Sequence, residues 1–327
     1  MMKRRGITVM IGAALVALLT WQVLGMNVAY VAMTPGKTVD VLSSQTGEDG
    51  EDHQIITADK EYPTDGELRL TTVSVYQQVS IAEALRLWFS DEVAVVPREL
   101  VYPPGLSKEE IAEKQENDWV TSQSDAEQAA LDHLGQPLTV EVTADAGDLR
   151  EGDVLVELGG EKVESTEQVE ALAGEEVDAK VNRAGKEEEV SGVDPAAVEL
   201  EFTHRDPYNI QIDTEALDIG GPSAGLMFTL GIVDRVTPDS LTGGEDVAGT
   251  GTITAGGKVG PIGGVQQKIA AVDEAGIELF LTPADNCSEA KGAAEGTGVQ
   301  LARVDTLDDA VAAVEAYAKG DPLPRTC

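Results

Sequence analysis

The chain has 327 residues, with 59 Asp and Glu against 23 Lys and Arg and a formal charge of −36. This balance excludes a nucleic-acid binder and a protein that adheres to an anionic surface by charge. Aromatics are only 4% of residues, so a core must be built from Val, Leu, Ile and Ala, and two cysteines are far too few for a disulfide scaffold.

The first six residues carry Lys3, Arg4 and Arg5, and Ile7 to Met26 follow as twenty residues without a charge. That length spans a hydrocarbon core, and the preceding cations put residues 1–6 in the cytoplasm. The expectation is a transmembrane anchor at 7–26 with everything after it on the extracytoplasmic side of the cell membrane. A cleavable signal peptide is the competing reading, although no clean A-x-A site closes the run, and a buried soluble helix is the third. On either side of the membrane Cys287 and Cys327 have a defined expectation: paired outside the cytoplasm, free thiols inside.

Asn27 to Leu42 holds short β-type runs broken by a turn signal at Thr34-Pro35-Gly36. Ser43 to Lys60 is acidic and reads as a solvated loop; its run Gly47 to His53 lacks the alternating carboxylates and closing glutamate of a calcium loop. Glu67 to Val79 alternates like a strand, and Ser80 caps an amphipathic helix to Phe89 with Ile81, Leu85, Trp88 and Phe89 on it. Pro97, Pro103 and Pro104 enforce an extended connection. Ser107-Lys108-Glu109-Glu110 is a capping box that opens a polar helix, in one or two pieces, to about His133.

Gly135 to about Gly192 reads as a compact strand-rich module. Its phrase Leu149-Arg150-Glu151-Gly152-Asp153-Val154-Leu155-Val156-Glu157-Leu158-Gly159-Gly160 resembles the L-x-x-G-D-x-I-x-x-I-x-G strand and turn of PDZ domains, with a helix following near Ser165 to Leu172. The resemblance implies capture of a C-terminal peptide as an added strand. A G-L-G-F-like carboxylate loop is missing before Leu138 and the loop after Val142 is short, so a gate over a neighbouring site stands as the alternative.

Glu199 to His204 and Asn209 to Asp213 read as strands that deliver the chain to Gly220-Gly221-Pro222-Ser223-Ala224-Gly225, a Gly/Pro turn running into the apolar helix that follows. A serine there stands beside the unpaired N–H groups of a helix start, and Gly221, Ala224 and Gly225 leave room for a substrate backbone. Taken alone, the turn fits an N-cap serine equally well. Downstream, Thr250 to Thr254 is a short strand, and a glycine turn, a second strand and Gly263-Gly264 lead into a helix that carries Lys268. Gly251 to Lys258 imitates a phosphate loop, but the spacing is wrong and Val259 replaces the required Ser or Thr. Strands at Ile277 to Leu281 and Val299 to Val304 alternate with helices at Asn286 to Ala294 and Thr306 to Ala318.

The stretch Gly-Pro-Ser-Ala-Gly at 221–225, with T-G-x-I-T at 250–254 and P-I-G-G-V-x-x-K at 261–268, resembles the proteolytic domain of the Lon proteases. The resemblance is strong over roughly 200–320. With one N-terminal apolar segment and no ATPase, the chain looks most like the membrane-anchored Lon-like proteases that carry a PDZ domain.

The resemblance implies a serine endopeptidase with Ser223 as nucleophile, Lys268 as base and Thr250 orienting the amine, while Gly221, Pro222, Ala224 and Gly225 shape the turn. It implies an α/β (α+β) catalytic domain split by the inserted module: 27–118, then 119–196 for the PDZ-like domain with its leading helix, then 197–320, and a tail at 321–327. Lys268 suits a base, because an amine must be desolvated to be neutral and its helix is apolar. A Ser-His-Asp triad through His204 and Asp206 is the rival chemistry, and a non-catalytic envelope scaffold presenting the PDZ-like module is the rival class. No cofactor, metal or nucleic acid is implied; the partners are protein or peptide substrates and, from the family, copies of the chain in a ring. Cys287 and Cys327 are expected to pair, with the tail folding back as a strap.

Overall fold

The computed structural model describes residues 2–327 apart from 48, 49, 91 and 218; for residues 2–6, 8 and 108 it describes the backbone alone. The principal elements are α1 (Met2–Leu24), β1 (Tyr30–Asp40), β2 (Glu67–Tyr76), α2 (Ile81–Leu87), β3 (Ala94–Pro97) and α3 (Lys108–His133). Next come β4 (Leu138–Val142), β5 (Val154–Leu158), β6 (Val177–Arg183), β7 (Lys186–Val193) and β8 (Leu200–His204). The last third holds α4 (Gly225–Val236), β9 (Asp246–Gly249), α5 (Val265–Glu274), β10 (Leu279–Pro283), α6 (Cys287–Ala294), β11 (Gln300–Val304) and α7 (Leu307–Ala318).

The segment expected as an anchor lies on α1. The side chains of its Lys-Arg-Arg flank are outside the described residues, and among the described residues no helix is long and apolar enough to cross a membrane.

A mixed six-stranded sheet in the order β11-β10-β9-β2-β1-β3 forms the main body. β2, β9, β10 and β11 run parallel to one another, and β1 and β3 add an antiparallel edge. The parallel strand β10 is buried at every residue, as expected of a strand covered on both faces. Helix α4, apolar nearly all round, is buried at every residue in the main core. The second sheet is wholly antiparallel, β7-β6-β5-β4-β8, with its own core of Val140, Val142, Leu155, Leu158, Val181 and neighbours. The main body is thus of mixed α/β type, with a further apolar cluster of Val265, Ile269, Val272 and Phe280 where α5 meets the sheet.

Several local expectations change. The chain does not turn at Thr34-Pro35-Gly36: β1 runs through it, with a register shift against β2 between Pro35 and Thr38. The bulge accommodates the ladder bond that Pro35 cannot donate. Ser43 to Lys60 is not simply a solvated loop, since Ile55 and Ile56 are fully buried and Ile56–Thr57 pairs with Gln211–Ile212.

α3 is one continuous helix, and Trp119, Ala126, Ala129, Ala130 and Leu131 pack in the same core as α4. Residues 119–133 therefore belong with the main body and not with the inserted module. Conversely, β8 pairs with β4 over residues 200–204, so the module ends near His204 rather than at 196. Helix α2 has its expected capping box, Ser80 with Glu83, but no buried residue: Ile81, Ala84 and Leu87 are half-buried, while Leu85, Trp88 and Phe89 are exposed among the described residues. The tail folds back as expected: Thr326 bridges Ala302 on the free edge of β11, and Cys327 forms a disulfide with Cys287 at the start of α6.

Candidate active site

Pro222–Ala224 form a tight helical turn that feeds directly into α4. Gly221 enters that turn at φ +91°, a conformation L side chains rarely adopt, and Pro222 supplies the fixed φ suited to a helix start. Ala224 and Gly225 are buried behind the serine. A Cβ on Gly225 would lie 2.9 Å from Ser122 Oγ and 3.0 Å from Ile253 Cγ2, so the helix approaches its neighbours more closely than alanine allows.

Thr250 follows β9 and its N–H donates to the Leu281 carbonyl of β10 (3.2 Å), which ties it to the centre of the main sheet. Its Oγ1 donates to the Ser223 carbonyl at 3.0 Å, and the Gly251 N–H donates to the same oxygen at 3.0 Å. The backbone of the serine is thus held from two directions. Lys268, in the second turn of α5, places Nζ 2.7 Å from Thr250 Oγ1 and 2.8 Å from Ser223 Oγ. Because the Thr250 proton is committed to the Ser223 carbonyl, the threonine oxygen accepts from the amine. In the neutral amine this leaves the lone pair for the Ser223 hydroxyl.

The amine is deeply enclosed: Lys268 is 2% exposed and Thr250 fully buried. Burial pushes the Lys268 ammonium down from 10.5 to about 7. A neutral amine is therefore well populated near neutral pH. Ser223 and Lys268 open on a cleft of about 950 Å³ lined also by Met33, Val73, Trp119 and Ile219. β9 stops at Gly249 opposite Leu70, and β2 continues past it along the cleft through Thr71 to Val75. That side of β2 has no strand beside it among the described residues.

The residues of the rival triad lie elsewhere. His204 is buried where the module meets α3, with Nε2 3.1 Å from Asp132 Oδ1 and Nδ1 3.3 Å from Gln128 Oε1. The Asp206 carboxylate accepts from the N–H groups of Tyr208 and Ile210. His53 pairs with Asp213, and His133 with Asp308. Gly251 to Lys258, the imitation phosphate loop, is part of a hairpin in which Thr252–Ile253 pairs with Val259–Gly260.

One contributor has no counterpart in the sequence reading. Ser122 on α3 donates from Oγ to the Pro222 carbonyl at 3.2 Å, holding the turn before the serine from a helix about 100 residues upstream. Nothing local marks it, because a lone serine in a polar helix reads as solvent-facing.

Comparison with known proteins gives a consistent picture. The family described as "Lon protease (S16) C-terminal proteolytic domain" matches residues 111–314. The Lon protease of Chloroflexus aggregans is 30% identical over 158 residues, which are 48% of this chain and 18% of that protein. That of Haemophilus influenzae is 31% identical over 118 residues, 36% of this chain and 14% of its own length. Lon protease 1 of Syntrophobacter fumaroxidans is 28% identical over 180 residues, 54% and 21% of the respective chains. The matched part of this chain thus spans about a fifth or less of the length of these relatives.

Proposed function

The chain belongs to the Lon protease (S16) C-terminal proteolytic domain family and is a serine peptidase, and from that premise we propose that it is an endopeptidase working by a Ser223–Lys268 dyad without ATP. The observation that carries the reading is the 2.8 Å approach of a buried, readily neutralised lysine amine to the serine hydroxyl. Lys268 Nζ takes the Ser223 proton as Oγ attacks the scissile carbonyl, and the resulting ammonium gives that proton to the departing amine. An acyl-enzyme remains, which water hydrolyses after Lys268 has removed a proton from it. N–H groups at the start of the helical turn that carries Ser223 hold the oxyanion, because the first donors of a helix lack intrahelical acceptors.

Independence from ATP is supported by the lack of any phosphate-loop motif in the sequence. Substrates are then segments of envelope or secreted proteins that are already extended, laid along β2 beyond Leu70 as an added strand. The module Leu138–His204 is read as PDZ-like from its Leu149–Gly160 phrase, and it admits or gates C-terminal peptides. The anchor reading rests on the uncharged run Ile7–Met26 behind Lys3, Arg4 and Arg5. An extracytoplasmic catalytic domain is supported by the Cys287–Cys327 disulfide, since such bonds persist in oxidising compartments. A ring of copies is carried over from the family resemblance.

The test is labelling of the purified protein with a fluorophosphonate probe. Covalent labelling that disappears in Ser223→Ala and collapses in Lys268→Met supports the dyad. Labelling indifferent to both substitutions, or no labelling at all, removes it.

A further inference from the structure

We propose that α2, with Trp88 and Phe89 at its end, lies in the headgroup–acyl boundary of the bilayer as a second membrane contact beside α1; this rests on the anchor reading above. Three observations on the molecule converge on it.

The first is continuity. α1 ends at Leu24 and passes into sheet with no linker: Asn27–Val28 pairs with Val79–Ser80, and the Ile81 N–H, which opens α2, donates to the Met26 carbonyl at 3.0 Å. The start of α2 is thereby fastened to the end of α1. A bilayer that holds α1 comes up against α2.

The second is composition. Trp88 is 64% and Phe89 86% exposed, and Leu85, Tyr76, Met26 and Trp21 are exposed around the same junction. In a chain with three tryptophans, two are exposed at this end, while the third, Trp119, is buried against Phe228. Amphipathic aromatics at the end of an apolar helix are what the membrane–water interface selects.

The third is charge. Of 327 residues 59 are Asp or Glu, yet none occurs before Asp40 and Glu83 alone falls between Leu68 and Ser90, with Asp91 and Glu92 next in the sequence. Glu83 is engaged in the cap, its carboxylate accepting from Ser80 N at 2.9 Å and from Ser80 Oγ at 2.8 Å. An acidic surface is repelled by anionic headgroups, so the end poorest in carboxylates is the one best able to face them. The apolar side of α2 is the only part of that end shaped as an interfacial helix among the described residues.

Native tryptophan fluorescence tests the proposal on the full chain in phosphatidylcholine–phosphatidylglycerol vesicles, with and without lipid brominated near the top of the acyl chains. Trp21→Phe leaves Trp88 to report, Trp88→Phe leaves Trp21, and Trp119 supplies an unquenched baseline in both. The substituted side chains are exposed, so packing is retained, which circular dichroism checks. Loss of most of the Trp88 emission with brominated lipid is the expected result. Quenching of Trp21 with Trp88 untouched overturns this proposal and leaves the anchor standing. Absence of quenching in both variants overturns the anchor reading and this proposal together. A Trp88 emission shielded from both bromolipid and aqueous iodide means that protein, such as a second copy of the chain, covers α2, and that also overturns it.

Discussion

Lys268 is where stability and activity pull in opposite directions. Its ammonium is pushed down by burial to about 7 from 10.5, so kcat/KM for a peptide should rise with pH and level off above about 7. Lys268→Met should fall to the residual level of Ser223→Ala, and the double variant no lower, because the pair acts as one unit. Lys268→Arg should not restore activity, since a guanidinium stays protonated. The same depression fixes the sign of a stability effect. Between about 7 and 10.5 the unfolded chain binds the proton that the folded one has lost, so stability rises with pH across that window and is lowest below it. Each unit of depression corresponds to about 1.4 kcal/mol. Lys268→Met should therefore melt higher than the parent at pH 6, with the gain fading towards pH 10.5 in a series of thermal scans. Thr250→Val removes the donor to the Ser223 carbonyl and the acceptor for Lys268; with about 1–3 kcal/mol per lost buried partner, kcat should drop roughly 10- to 100-fold, more than KM changes.

The elements around the dyad behave as wedges that meet at glycine. Gly225→Ala drives a methyl to within 2.9 Å of Ser122 Oγ and 3.0 Å of Ile253 Cγ2, so α3 or the hairpin must move and the Ser223 turn with it. The expected outcome is a folded protein with lower melting temperature and slower probe labelling. Adding Ser122→Ala should recover only part of the labelling rate, because it relieves one contact while removing the hold on Pro222. The dyad was legible because both of its motifs are local phrases: a turn that must be Gly/Pro-rich, and a helix start marked by glycines. Ser122 was not, and neither was the burial of Trp119, Ala126, Ala129, Ala130 and Leu131, since α3 looks polar and its partner α4 lies a module away. The bulge in β1 was misread as a turn because Thr34-Pro35-Gly36 has turn chemistry, and only the paired strand β2 shows that the chain continues. Ile55 and Ile56 were hidden by the carboxylates around them.

In the whole molecule the C-terminal strap closes the sheet edge at β11. Arg325 Nη1 reaches Asp305 at 2.9 Å and Asp309 at 2.7 Å, and Cys327 is bonded to Cys287, 40 residues earlier in the chain. In the chain-entropy view that loop contributes about 4 kcal/mol, so Cys327→Ser should lower the urea midpoint with little change in the rate of probe labelling at Ser223, which lies outside the strap. The arrangement of the main sheet also has a consequence in time. Its central pair joins Glu67–Leu70 to Asp246–Gly249 across the entire inserted module, whereas the module's sheet is built from neighbours between Leu138 and His204. A chain made from its N-terminus can complete the module while the main sheet still waits for its middle strand, and pairings of such span close late. On the proposed dyad, a chain whose residue 268 has not yet emerged has no base for Ser223, so the order of synthesis is expected to withhold peptidase activity until the main sheet can close.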